Sequence, residues 1–326
     1  MKIGILGCGS IAQSMANTLI GMNQRGDDVE LYAVASRSLD KAEAFAAKNH
    51  FAKAYGSYEE MVSDDELELV YVATPHSHHF EHMKLCIDHG KHVLCEKAFT
   101  ANAKQAKEIT EYAKSKNILV TEAQWVRYMP LVKKLRDVIA SGVIGDITTV
   151  TSNLHYSIDM NERIYTPELA GGALLDVGIY TINFTSICLG NDYSDMIASC
   201  VKFETGVDRQ SSISIIYPDG KMAICNSGTQ AISDRKGIIY GRNGHIIVEN
   251  INNPESITVF NSDRQIVARY DAPEQITGYE YEVLAAIDAV TNNLTECPDC
   301  PHSETIAMME MMDKAREQMG IRFPFE

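Results

Sequence analysis

The apolar run Ile3-Gly-Ile-Leu6 leads directly into Gly7-Cys8-Gly9-Ser10-Ile11-Ala12, and a stretch with helical apolar spacing (Ile11, Met15, Leu19) follows. A strand that turns this tightly into a helix needs small residues at fixed places. Gly7 permits the bend, Gly9 lets a ligand approach the backbone, and Ala12 lets helix and strand pack closely. The helix start at Ser10 and Ile11 then offers unpaired N–H groups and its positive end, which suits a pyrophosphate. A tight turn alone would produce the same spacing; its position between strand and helix favours a dinucleotide site.

The pattern continues in kind. Strands are predicted at 3–6, 31–35, 69–73, 92–95 and 118–121, with helices starting near Ser10, Leu39, Ser57, Phe80 and Asn102. Strands alternating with helices imply an α/β domain with a doubly wound parallel sheet, a Rossmann arrangement. Beyond residue 144 the character changes. Alternating runs at 211–217, 221–227, 245–248 and 256–260 are punctuated by Pro218-Asp-Gly220 and Asn243-Gly244, which predicts an antiparallel sheet of hairpins. Helices at 278–291 and 303–319 close the chain. The expected organisation is a nucleotide-binding domain over 1–121. A substrate-binding and oligomerisation domain of α+β type, with a large, mostly antiparallel open sheet, is expected over 122–326.

The second strand carries the cofactor preference. An NAD site usually ends this strand with a carboxylate that accepts from the ribose 2′-hydroxyl. Here Ser36-Arg37 stands instead, with Lys41 four residues on. A guanidinium pairs with the 2′-phosphate of NADP in a bidentate fork, so NADP is expected over NAD. The alternative is a solvated arginine beside a helix cap at Ser38.

Composition excludes other classes. The net charge of −15 opposes general binding to nucleic acid or to an anionic membrane surface. No uninterrupted apolar run is expected to span a bilayer, and the first residues read as a core strand rather than a leader. Eight cysteines without framework spacing suit reduced thiols and a cytoplasmic setting. Cys297-Pro-Asp-Cys300 is expected to be a surface loop. The cluster His76, His78, His79 and His82 lacks the spacing and carboxylate partner of a metal site, so no metal is expected.

Motifs over nearly the whole length resemble the glucose-fructose oxidoreductase / inositol dehydrogenase (Gfo/Idh/MocA) family. Within it they resemble the branch of dimeric dihydrodiol dehydrogenases and NADP-dependent D-xylose dehydrogenases. The residues that carry the likeness are Gly7-Cys-Gly9-Ser-Ile-Ala12, Ala35-Ser36-Arg37, Ala73-Thr74-Pro75-His-Ser-His78 and Glu96-Lys97. Further along they are Glu122-Ala-Gln-Trp125-Val-Arg127-Tyr-Met-Pro130, Gly171-Gly-Ala-Leu-Leu-Asp176-Val-Gly-Ile-Tyr180 and the closing Arg322-Phe-Pro-Phe-Glu326. The family usually has Glu-Lys-Pro where this chain has Glu96-Lys97-Ala98. A trans bond and a slightly shifted loop are expected at Ala98, because a cis bond there costs roughly 3 kcal/mol.

The resemblance implies an oxidoreductase that moves hydride between NADP and a hydroxyl-bearing carbon of a sugar or cyclic trans-diol. Lys97, Asp176 and Tyr180 are the candidate catalytic residues. Thr74, Pro75, His78, Glu96, Trp125 and Arg127 join the glycine turn, Ser36, Arg37 and Lys41 as candidate cofactor contacts. Trp125 is expected to wall the nicotinamide pocket, a core anchor being the alternative. His155, with Tyr156 beside it, is a candidate substrate contact alongside Asp176 and Tyr180. Asp176 and Tyr180 are four apart in a helical pattern and so share a face. A phenol ionises near pH 10, and a nearby Lys97 ammonium favours the tyrosinate. Either Tyr180 or Lys97 then takes the proton as hydride leaves the same carbon. The competing class is a non-catalytic NADP-binding regulator. A homodimer or higher homo-oligomer through the second-domain sheet is expected, because Ile213 and Ile215 alternate on one face while Ile216 falls on the other.

Overall fold

The computed structural model describes residues Met1–Glu326. The chain forms two compact units: Met1–Tyr128 with Gln275–Ile306, and Met129–Glu274 with Ala307–Glu326. A single cut after residue 121 differs from this division, because residues 275–306 return to the first unit. The reason is apolar burial. Helix Glu280–Thr291 sets Val283, Ala286 and Ala289 into the same core as Leu94, Leu119, Ala123 and Tyr128, covering sheet surface that the earlier helices leave open.

The first unit runs β1 (Lys2–Leu6), α1 (Ser10–Arg25), β2 (Glu30–Ala35), α2 (Leu39–Asn49), β3 (Lys53–Tyr55), α3 (Tyr58–Val62), β4 (Leu69–Val72), α4 (His79–Asp88), β5 (His92–Glu96), α5 (Ala103–Ser115) and β6 (Val120–Ala123). All six strands are parallel, in the order β3-β2-β1-β4-β5-β6. The order reverses between β1 and β4, which places the switch-point crevice at the carboxyl end of β1. Two of the predicted helix starts carry side-chain caps: Ser57 Oγ accepts from Glu60 N at 3.1 Å, and Asn102 Oδ1 from Gln105 N at 3.0 Å.

Two expectations fail here. Cys297 and Cys300 are not in a surface loop. Both are fully buried in the unit's core as free thiols, and burial pushes each up to about 12. The Lys97–Ala98 bond is cis rather than trans. Ala98 is itself fully buried, and its carbonyl oxygen lies 2.9 Å from His79 Nδ1.

The second unit begins with α6 (Pro130–Ala140), β7 (Ile147–His155) and α7 (Glu162–Tyr165). A wide helical turn, Leu174–Gly178, follows and runs into α8 (Ile179–Leu189). The sheet then takes β8 (Asp195–Lys202), β9 (Asp208–Ile216), β10 (Met222–Gly228), β11 (Gly237–Gly241), β12 (Gly244–Glu249), β13 (Ser256–Asn261) and β14 (Ile266–Asp271). Its order is β14-β13-β12-β11-β7-β10-β9-β8, antiparallel throughout except for the central β7–β10 pair.

Helix α8 is buried along nearly all its length, its polar Thr181, Asn183, Thr185 and Ser186 included, and packs on the inner face of this sheet. Thr185 Oγ1 meets Cys225 Sγ on β10 at 3.3 Å, and Gly237 on β11 leaves only enough room for the Phe184 ring. The segment Pro167–Leu189 is long and apolar enough to cross a membrane by length and composition, but it is interrupted by Glu168 and Asp176 and lies buried in this core. Ile213 and Ile215 face inward, as their alternation predicts.

Candidate active site

The nucleotide end of the first unit is built by β1, α1 and β2. Gly7 adopts φ +116°, and a Cβ there would sit 2.9 Å from the Ala73 carbonyl oxygen, so only glycine makes the turn. Gly9 is different: a Cβ would meet nothing within 4 Å, which leaves open space over its backbone. Gly9 is also the N-cap of α1, with no side-chain cap and no acidic residue in the first turn. The start of α1, where Ser10, Ile11 and Ala12 lie, is thus unopposed by local negative charge and fits a phosphate group. Ser36 and Lys41 both act on the Cys8 thiol, which burial otherwise pushes up. Ser38 holds the N-cap position of α2 without using its side chain as a cap.

Arg37 is exposed at the end of β2. Its charge reaches Tyr58, His78 and His82, where it opposes protonation of both histidines. Burial first, then the neighbouring cations, holds His82 down at about 4. Thr74 Oγ1 lies 2.9 Å from His82 Nδ1, and Pro75 opens the short turn that carries His76 and His78. No group of three His, Cys, Asp or Glu side chains is arranged to hold a metal ion.

Strand β5 delivers Glu96 and Lys97 to the carboxyl edge of the sheet. Glu96 is buried; Tyr71 donates its hydroxyl to Glu96 Oε1, and Lys97 N donates to Oε2 at 3.1 Å. Lys97 is half-buried. A residue with no sequence assignment organises this loop. The fully buried His79 ring lies between two carbonyl oxygens, Thr74 O at 2.7 Å from Nε2 and Ala98 O at 2.9 Å from Nδ1. It bridges the two segments that carry the candidate cofactor threonine and the candidate lysine. Trp125 is buried and stacks on Tyr279 with ring centroids 4.3 Å apart. Arg127 is 2% exposed, and its Nη2 pairs with Glu304 at 3.2 Å. Glu122 accepts from Thr305 Oγ1 at 2.9 Å, and burial raises its carboxyl to about 7. The Trp125–Arg127 segment is thereby fastened to the returning 275–306 segment, a pairing that local sequence does not reveal.

In the second unit Asp176 lies in the wide i→i+5 turn, not in a regular α-helix, and Tyr180 follows in the first turn of α8. Such turns recur at functional sites because they re-aim side chains. Asp176 is buried and takes a two-point ion pair from Arg163 of α7, Nη1 to Oδ1 at 2.8 Å and Nη2 to Oδ2 at 3.2 Å. Sequence reading missed Arg163, thirteen residues away on a separate element. Gly171 permits this packing: a Cβ there would meet three carbonyl oxygens of the α7 segment within 3 Å. His155 ends β7 and packs over Gly228 on β10, where a Cβ would sit 2.7 Å from Nδ1. Tyr156 donates to Asn252 Oδ1 at 2.9 Å. The candidates therefore fall into two groups. The glycine turn, Arg37, Thr74, Glu96 and Lys97 gather on the first unit, and His155, Asp176 and Tyr180 on the second.

Comparison with known proteins bears on this arrangement. Residues 1–124 match the model of an oxidoreductase family with an NAD-binding Rossmann fold, and residues 132–247 match the GFO/IDH/MocA C-terminal domain. A trans-1,2-dihydrobenzene-1,2-diol dehydrogenase of Mus musculus is 30% identical, over 99% of this chain and 98% of the mouse protein. The chain belongs to the Gfo/Idh/MocA oxidoreductase family. Another relative, a D-xylose 1-dehydrogenase (NADP(+)) of Hypocrea jecorina, is 33% identical over 99% of this chain and 93% of its own. Among solved structures, a levoglucosan dehydrogenase in complex with NADH and levoglucosan superposes with TM-score 0.88 at 17% identity, covering 98% of this chain and 97% of that one. A 3-ketoreductase from Actinomadura kijaniata bound to NADP and TDP-benzene gives TM-score 0.87 at 22% identity, covering 98% of both chains. At these identities the two structures establish the fold: a parallel Rossmann sheet followed by the open, mostly antiparallel sheet of this family.

Proposed function

We propose that this protein is an NADP-dependent dehydrogenase acting on a hydroxyl-bearing carbon of a sugar or cyclic trans-diol. The observation that carries the cofactor assignment is the end of β2. No carboxylate stands there, Arg37 is exposed, and its charge makes the His78–His82 neighbourhood electropositive. The same two relatives whose names specify a diol and a sugar substrate align with this chain nearly end to end.

NADP supplies the hydride acceptor when bound. The α1 start with Gly7, Cys8, Gly9, Ser10, Ile11 and Ala12 would hold the pyrophosphate. Ser36, Arg37 and Lys41 would take the 2′-phosphate, and Thr74, Pro75 and His78 would line the remaining cofactor path, with the buried Glu96, Trp125 and Arg127 as its support. Lys97, Asp176 and Tyr180 are the proton-handling and substrate-orienting set, with His155 as a further substrate contact. Arg163 fixes Asp176 in direction through its two-point pair, so the carboxylate is oriented before a substrate hydroxyl arrives. A pure nucleotide sensor has no use for this set, which disfavours the regulator reading.

The protein is further proposed to be a homodimer or higher homo-oligomer through the outer face of the eight-stranded sheet, in a reducing, cytoplasmic setting. One register row places Ile197, Ile224, Ile238 and Ile247 on that face, and the next places Ile216, Met222, Tyr240, Phe260 and Ile266. Ile197 and Ile266 are each 62% exposed, an apolar band that association would cover. All eight cysteines are free. The test is to follow NADP⁺ reduction with a panel of aldoses, inositols and cyclic diols. Failure of every member to react would overturn the assignment.

A further inference from the structure

Asp208, on β9, is remote in sequence from every candidate catalytic residue, yet it holds the start of the helical segment that carries two of them. Its Oδ2 accepts from Leu174 N at 2.8 Å, at the entry of the wide turn that contains Asp176 and leads to Tyr180. Its other oxygen occupies the space beside Gly172. A Cβ on Gly172, which has φ +117°, would lie 2.4 Å from Oδ1. The glycine and the aspartate therefore fit each other, and the fit sets where the turn begins. Asp208 is only 2% exposed, and no ion pair reaches it.

We infer that Asp208 is a positioning residue whose ionised carboxylate docks the 173–180 segment, so that proton uptake by Asp208 loosens Asp176 and Tyr180 together. This rests on the function proposed above.

A charge-assisted bond to a backbone N–H is roughly twice as strong as a neutral one, so the protonated acid holds Leu174 less firmly. Burial raises the Asp208 carboxyl to about 6, opposed by the Leu174 and Asp208 amides and by the Arg316 and Lys202 charges. The groups facing it are few. On β8 stand Cys200 and Lys202, the latter donating to Gly320 O. From the closing helix comes Arg316, already bonded to Asp313 and Glu326. On the neighbouring turn the Arg163–Asp176 pair is internally neutral. None of them forms an ion pair with Asp208, so its own proton is the switch.

The experiment has two arms. In the first, ¹⁵N-leucine labelling follows the Leu174 amide of the full chain from pH 8 to 5. The expected result is a shift with midpoint near 6 that disappears in Asp208→Asn. In the second, NADP⁺ reduction is measured over the same range. Wild-type kcat should fall by about tenfold as Asp208 protonates, with KM for NADP⁺ unchanged. Asp208→Asn should be low throughout and lack that limb, Asp208→Glu should partly restore it, and Gly172→Ala should lower kcat without changing KM for NADP⁺. A Leu174 amide that does not titrate near pH 6, or an Asp208→Asn enzyme with wild-type kcat and profile, would overturn the inference. A wild-type protein that fails to reduce NADP⁺ with any aldose, inositol or cyclic diol of the panel would overturn the proposed function instead, and the amide titration would still decide whether Asp208 docks the segment.

Discussion

Replacing Arg37 by Ala separates the 2′-phosphate contact from the rest of nucleotide binding. Arg37 is exposed, so its removal uncovers no buried partner and leaves the fold intact. What is lost is one charge-assisted fork to a phosphate, worth roughly 1.5–3 kcal/mol in a site partly shielded from water. That corresponds to about 10- to 150-fold weaker NADP⁺ binding, while NAD⁺ affinity should change by less than about twofold. Because the contact is exposed, the loss should shrink as ionic strength rises and the screening length falls below about 8 Å. The structure supplies a second readout. Arg37 opposes protonation of His78 and His82, so a phosphate on Arg37 should make both histidines more basic. NADP⁺ should raise them and NAD⁺ should not, and Arg37→Ala should raise them without any nucleotide. Calorimetric titration and histidine NMR give both answers. Equal affinity of the unmutated protein for NAD⁺ and NADP⁺, or histidines indifferent to which nucleotide is bound, would rule out Arg37 as the 2′-phosphate contact.

Two further outcomes follow from the packing. Gly237→Ala forces a Cβ to within 2.3 Å of Phe184 Cζ and should cost about 1–3 kcal/mol of stability as α8 is pushed off the sheet. Phe184→Leu in the Gly237→Ala background should recover part of that loss in denaturant titrations, and a purely additive double mutant would contradict the proposed contact. Acid should also weaken the first unit through His79. Burial holds this ring down at about 4 against an ordinary 6.5, so the unfolded chain takes up the proton first. Its stabilising share is complete above pH 6.5 and is lost as pH falls toward 4. Between pH 7 and 5 the loss is about 2 kcal/mol. Asp208 and Glu122, both raised by burial, drift the opposite way. The wild type should therefore be compared with His79→Gln, whose stability should fall less over this range; parallel pH curves would contradict the assignment.

The parts of the fold written locally were legible. The glycine turn, the alternation of strands and helices, and the helix starts at Ser57 and Asn102 depend on residues a few positions apart. The turns at Pro218-Asp-Gly220 and Asn243-Gly244 are equally local, and they join strands as expected. What escaped depends on partners distant in the chain. Strand β3 has three half-buried residues and no hydrophobic alternation to announce it. Residues 275–306 look like part of the second domain until their apolar face is matched to β5 and β6. The i→i+5 turn at 174–178 has an ordinary helical composition. Arg163, His79 and Asp208 owe their importance to carbonyls, carboxylates and amides on other elements, so spacing alone gives no sign of them.

The proposed function depends on a proton-handling set built around Lys97, Asp176 and Tyr180 that works with NADP. Its most direct test is the pH profile of NADP⁺ reduction by the unmutated protein and by Tyr180→Phe, with the best substrate of the aldose, inositol and diol panel. If Tyr180 carries the proton, the variant should turn over about 10² to 10⁴ times more slowly, with NADP⁺ affinity within about twofold of wild type. The alkaline rise of the wild-type profile should vanish with the phenol. A variant with near-normal turnover and an unchanged profile would contradict Tyr180 as the acid–base residue and pass that role to Lys97.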